Sequence, residues 1–149
     1  MPSLVSGGTF TNNWKNILDK LRSVLRTEFK GALPIYIGEE GSEGTQFLII
    51  TPIGSSSVSF GSSSEEREYS IELIYYFDGH NTNKTALDHV LRYTSRIEAL
   101  VHDNMIMTLS DSTKALNCHI ENTEFDLSAE DGTYSVSMQW MCSHVGNLG

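Results

Sequence analysis

The chain is poor in the residues that staple, kink or span. It has two cysteines in 149 residues, Cys118 and Cys142, with no CxxC pair. A disulfide scaffold and a zinc ribbon are both excluded at that count. Three prolines leave long stretches free to form regular elements. No run approaches the roughly 20 apolar residues of a membrane-spanning helix. The first residues, MPSLVSGGTF, hold no basic cluster and no long apolar core, so a secretory leader is not expected. Positive charge is also scarce. Ten basic residues face nineteen acidic ones, for a net charge of −9. The deficit is uneven. Residues 1–33 carry five basic and two acidic residues, a balance of +3, and the remainder carries five and seventeen, a balance of −12. Affinity for nucleic acid rests on neutralised phosphates, so a conventional DNA or RNA binder is disfavoured.

What is present suits one folded domain. Apolar residues make up 39% of the chain and aromatics 9%. A chain of this length buries roughly 70% of the surface its unfolded form exposes. Residues 1–11 read as a flexible arm, 12–145 as a single domain and 146–149 as a tail.

Residues 13–29 read as a helix. Trp14, Ile17, Leu18, Leu21, Val24, Leu25 and Phe29 recur at steps of three and four, with Asn12 or Asn13 as cap and Gly31 past the end. Residues 34–38 and 46–52 read as strands around an acidic turn, GEEGSEG. Residues 54–66, GSSSVSFGSSSEE, read as a long serine- and glycine-rich loop. Residues 67–77 alternate as a strand, with Tyr69, Ile71, Leu73, Tyr75 and Phe77 on one face. Residues 84–103 form a second helix whose stripe is Leu87, Val90, Leu91, Thr94, Ile97, Leu100 and Val101. Residues 105–113 are a connection. Residues 116–127 and 133–144 close the chain as a hairpin, with Tyr134, Val136, Met138, Trp140 and Cys142 on one face. Apolar positions change phase between Ile120 and Phe125, which predicts a bulge near Asn122 and Thr123. The order α-β-β-β-α-β-β, with hairpin-linked strands, predicts an α+β domain: a mostly antiparallel sheet carrying two helices.

No catalytic constellation emerges. The five histidines show no HExxH or other metal-ligand spacing. GEEGSEG lies between strands, and Glu39, Glu40 and Glu43 would repel phosphate, so it is a turn rather than a phosphate loop. Serine never occurs in a G-x-S-x-G elbow. No catalytic residue, metal ligand or cofactor is expected. A small-molecule module is the competing class, and Tyr75, Trp140, His119 and His144 would be its pocket lining.

Two features point toward protein partners. Lys15, Arg22, Arg26 and Lys30 fall at steps of seven, four and four along the first helix. They suit docking on an acidic surface, and the rest of this chain is such a surface, so a neighbouring copy is a candidate partner. The second is the 54–66 segment. There Val58 and Phe60 alternate beside Glu65 and Glu66; the segment is either idle and disordered or an arm that orders as it adds a strand to a partner.

The chain resembles the tail terminator, or tail completion, proteins of tailed bacteriophages. The resemblance runs over roughly residues 12–144. It is carried by YSIELIYYFDG (69–79), ALDHVLRYTSRIEALVHD (86–103) and NCHIENTEFDLSAEDGTYSVSMQW (117–140). It implies a virion subunit assembled in the host cytoplasm into a ring, usually a hexamer. Such a ring caps the tail tube and meets the head connector while DNA passes through its lumen without specific binding. It implies no catalytic residues and no membrane. Head-closure and adaptor proteins of the same neck are the neighbouring alternatives. The GEEGSEG turn and the serine-rich segment are particular to this chain.

Overall fold

A computed structural model describes residues 11–38, 45–61, 64–78, 83–128 and 133–147. The acidic turn at 39–44, the turns at 79–82 and 129–132, and the arm at 1–10 lie outside the described residues.

Helix α1 spans Asn13–Phe29. The Asn12 side chain accepts the Lys15 amide at 3.0 Å and so caps one of the orphan donors of the first turn. Ile17, Leu21, Leu25 and Phe29, spaced by four, are buried. Lys30 ends the helix in the left-handed region at φ 48°. A side chain there is strained, and glycine is not. Lys30→Gly is therefore expected to stabilise the fold by about 1 kcal/mol in urea unfolding.

Strand β1 spans Ile35–Ile37, β2 Gln46–Phe60, β3 Ser64–Asp78, β4 Met107–Thr108, β5 Lys114–Ser128 and β6 Thr133–Asn147. Helix α2, Asn83–Asp103, lies between β3 and β4. The six strands form one sheet in the order β1-β2-β3-β6-β5-β4. All neighbours are antiparallel except β1 and β2. The α+β class is as expected, with β4 added inside the 105–113 connection.

One reading is corrected. Residues 54–60 and 64–66 are strand, not loop: β2 runs to Phe60, β3 starts at Ser64 and so includes Glu65 and Glu66, and the two pair as far as Phe60 opposite Glu65. Serine and glycine favour turns when read locally, but cross-strand pairing with β3 overrides that preference. The strand pays in irregularity, with register shifts at Ile53 and Val58. In β5 the predicted extra residue is Glu121, and a second irregularity lies between Leu116 and His119.

The core sits between both helices and one face of the sheet. Tyr69, Ile71, Leu73 and Tyr75 of β3 lie opposite Cys142, Trp140, Met138 and Val136 of β6, and all are buried. Trp14 packs edge-on to Tyr69 at 4.8 Å, and Phe29, Tyr93 and Tyr75 stack in series at 5.6 Å. The α2 stripe is shifted from its expected phase. Ala86, Val90, Thr94, Ile97 and Val101 are buried, whereas Leu87 and Leu91 are 45% and 44% exposed.

Among the described residues no element covers the other face of the sheet. Tyr36, Phe47 and Tyr76 pack on one another there. This is why β2 reads as apolar on both faces. Ser137 donates to Glu72, and Gln139 to Ser70, across the β3–β6 pair on that face.

Candidate assembly surfaces

The side chains that carry chemistry are spent on the fold. Tyr75, Trp140 and His144 are buried in the core, while His119 lies at the sheet surface beside Glu121. The four residues expected to line a ligand pocket therefore share no cavity. Among the described residues no group of three His, Cys, Asp or Glu could hold a metal ion. Cys118 and Cys142 are both buried free thiols. The hydrogen bond to Cys118, then burial, pushes the Cys142 thiol above its ordinary value.

The basic stripe of α1 is partly consumed and partly split. Lys15 pairs with Asp19 at 2.7 Å, and Arg22 approaches the same carboxylate at 3.6 Å. Arg26 donates to the Ile35 carbonyl of β1 at 2.9 Å. That bond sets the stripe above the β1–β2 side of the sheet. Lys15, Asp19, Arg22 and Arg26 line one shallow depression. Lys30, held in its left-handed cap, lines a different groove with Lys20 and Arg96 between the helices.

The other expected contacts lie on the far half of the β2–β3 hairpin. Phe60 is 80% and Val58 55% exposed. Phe60 lies opposite Glu65, on the helix side of the sheet. Glu66 alternates with Glu65 and so lies on the uncovered face. Arg67 bonds Glu65 at 2.7 Å and Ser55 at 2.9 Å. Its guanidinium holds the Glu65 carboxyl below the usual carboxylate value.

The uncovered sheet face is acidic. The alternation places Glu66, Glu68, Glu72 and Asp78 of β3 on it, with Glu124 and Asp126 of β5. Among the described residues Lys114, at one corner, is the lysine or arginine of this face. Sequence reading missed this segregation, because it depends on which strands lie side by side. It also missed that Phe125 and Leu127 of β5, 43% and 42% exposed, and Leu87 and Leu91 of α2 are left at the surface.

The described residues thus form a two-layer domain with one bare acidic face, and among them no pocket gathers chemistry. A chain of the virion of the native gene transfer agent (GTA) particle shares this fold. The TM-score is 0.64 at 9% identity, over 91% of this chain and 98% of that one. No family model matches the sequence. No curated protein matches it either.

Proposed function

We propose that this chain is a structural virion protein: a tail terminator, forming a ring that caps the tail tube and joins it to the head connector. The carrying observation is the fold shared with the GTA virion chain along nearly the full length of both. The distribution of side chains supports the same reading. His89, His144, both cysteines and the buried tyrosines are used in packing, and among the described residues the unused surface consists of sheet edges and a charged face. The acidic sheet face suits a lumen, because fixed negative charge gives a passing polyanion nothing to hold. The basic α1 depression and the acidic remainder suit contacts between copies in a ring of six, the number the resemblance implies.

The test is direct. Purified protein, alone and mixed with tail tube protein, is imaged by negative stain and sized by light scattering at low salt. Rings are the expected result. Raising salt from about 0.05 to 1 M should weaken them, because the screening length falls to about 3 Å. A protein that stays monomeric under both conditions and does not bind the tube overturns the proposal. Head-closure and adaptor roles are separated from a terminator by the layer of the virion neck that the ring occupies in a particle map.

A further inference from the structure

The sheet ends in two free edges, and they are not at the same place. Strand β1 pairs only with Leu48, Ile49 and Ile50 of β2, so among the described residues nothing pairs with the outer side of β2 from Thr51 to Phe60. Strand β4 pairs with Lys114 and Ala115 of β5 and the Cys118 amide donates to the Met105 carbonyl at 2.9 Å, so among the described residues no strand pairs with the outer side of β5 from His119 onward. Through β3 and β6 the free half of β2 aligns with residues 139–146 of β6, whereas residues 122–128 of β5 align with 133–139. The open edges therefore lie at diagonally opposite corners of the sheet. Each presents a row of unpaired amides and carbonyls, a template for another strand.

The two corners differ in character. Lys15, Arg22 and Arg26 flank the β2 side. Trp14, beside Lys15, packs on Tyr69, and the β2 partner of Tyr69 is Ser55. The β5 side carries exposed Glu121, Glu124 and Asp126, with Glu98 of α2 fixed there by the Thr123 hydroxyl at 2.9 Å. On the helix side, pairing β2 with β5 brings the α1 cations of one copy toward Glu98 of the next, whereas pairing β5 with β5 would set Glu98 against Glu98. Glu124 and Asp126 face the other side of the sheet, as do Glu66 and Glu68 beside β2.

We infer that copies of this chain join edge to edge, the free half of β2 from one copy adding antiparallel to the free half of β5 of the next. The inference rests on the ring-forming reading above and names its interface. Strand direction fits. β2, β3, β6 and β5 alternate in direction, so β2 is antiparallel to β5 within a subunit and stays so after a side-by-side shift. One register keeps both sheets on the same two faces. Ser55 and Phe60 are on the helix side of β2, and Phe125 and Ile120 are on the helix side of β5. Ser55 opposite Phe125 therefore puts Phe60 opposite Ile120.

That register gives the exposed apolar residues cover. Phe60 arrives beside the hollow of about 260 Å³ formed by Val101, Met105, Cys118 and Ile120. Ile53, 57% exposed, arrives beside Leu127. Helix α2 runs antiparallel to β5, with Glu98 at Thr123 and Val101 near Ile120. At 1.5 Å per helical residue and 3.3 Å per strand residue, Leu91 and Leu87 continue beside Phe125 and Leu127. A head-to-tail contact of this kind closes into a ring or runs on as a filament. The diagonal offset means that closure requires strands tilted to the ring axis.

The test uses the full chain. Ser56→Cys with Glu124→Cys places thiols opposite each other on the uncovered face, within the 4.4–6.8 Å Cα range that a disulfide tolerates. Mild oxidation should give a reducible ladder of multimers on denaturing gels, absent from either single variant. Phe60→Glu should raise the concentration for half-assembly at least tenfold while leaving circular dichroism and melting unchanged. Rings that form but neither cross-link nor respond to Phe60→Glu overturn this interface and leave the ring reading standing. Absence of rings for the unaltered chain, alone and with tube protein, overturns both. A ladder that stops at dimers overturns the head-to-tail arrangement.

Discussion

Trp140→Ala is expected to cost about 3–5 kcal/mol, the range for truncating a fully buried tryptophan. Trp140 is 1% exposed and sits at the middle of β6, opposite Ile71 of β3 on one side and Ile120 of β5 on the other. The cavity would open where the two halves of the sheet meet under the helices, and no neighbouring strand can collapse into it without breaking its own pairing. Domains of this size are stable by about 5–15 kcal/mol, so the variant loses a large share of the total. Its melting temperature should fall by about 6–20 °C, since each kcal/mol shifts a domain of this length by about 2–4 °C. Phe60→Ala is the matched control. The same kind of truncation at 80% exposure should change monomer stability by less than about 0.5 kcal/mol. Equal losses for the two variants in urea unfolding would mean that β6 is not the centre of the sheet.

That contrast also marks what could be read in the sequence. In β6 the period of two is uninterrupted from Tyr134 to Cys142, and each of those alternate positions is buried. Helix α1 was legible to the residue because an asparagine cap, a four-residue spacing and a glycine just past Lys30 agree with one another. Helix α2 was legible in extent but not in phase. Leu87 and Leu91 are as apolar as Val90 and Ile97, and only the position of β5 decides which pair faces the sheet. The far half of β2 was misread for a similar reason. GSSSVSF has little preference of its own for a strand, and the residues that hold it there, Arg67 and Tyr69 among them, are ten or more positions away in sequence.

The candidate surfaces divide along the same line. Lys15, Arg22 and Arg26 could be grouped by helical spacing alone. Val58 and Phe60 could be marked because they are apolar in a polar stretch. The free edges and the acidic face could not be found, because both exist only once β6 is known to lie between β3 and β5. The parallel pairing of β1 with β2 was equally hidden. PIYIG carries no signal of direction, and its partner is chosen by the Pro34 carbonyl accepting from the Leu48 amide at 2.9 Å.

Acid should destabilise the monomer as pH falls below 6.5, and two histidines set that onset. Thr113 donates its hydroxyl to the Asp111 carboxylate at 2.6 Å, so it can only accept from His144 at 2.8 Å. The neutral His144 ring therefore carries its proton on Nε2, and Nδ1 is buried without a hydrogen-bond partner. Burial pushes the His144 value down, and the nearby Asp111 charge opposes this only in part. His89 stacks on Phe77 and Tyr93 and donates to the Gln46 amide oxygen, which also accepts from Tyr75. Burial lowers His89 too. For both, the unfolded chain takes up a proton near pH 6.5 while the folded one resists. Stability is then complete above that pH and falls as pH drops toward the folded values, by up to about 1.4 kcal/mol per pH unit for the buried His144 and by less for His89, which solvent partly screens. His119 has the opposite sign. Its hydrogen bonds to the Asn117 carbonyl and Glu121 raise its value, so it favours the fold at low pH, but it is exposed and solvent weakens the effect. Asp111 and Glu65, both lowered, lose their contribution only below the carboxylate range, and so beneath that onset. Urea unfolding at pH 7.5 and 5.0 should therefore show a loss, and His144→Gln should flatten the profile although it lowers stability at pH 7.5. Equal stability at the two pH values, or a His144→Gln profile as steep as that of the unaltered chain, would show that the buried ring accepts its proton freely.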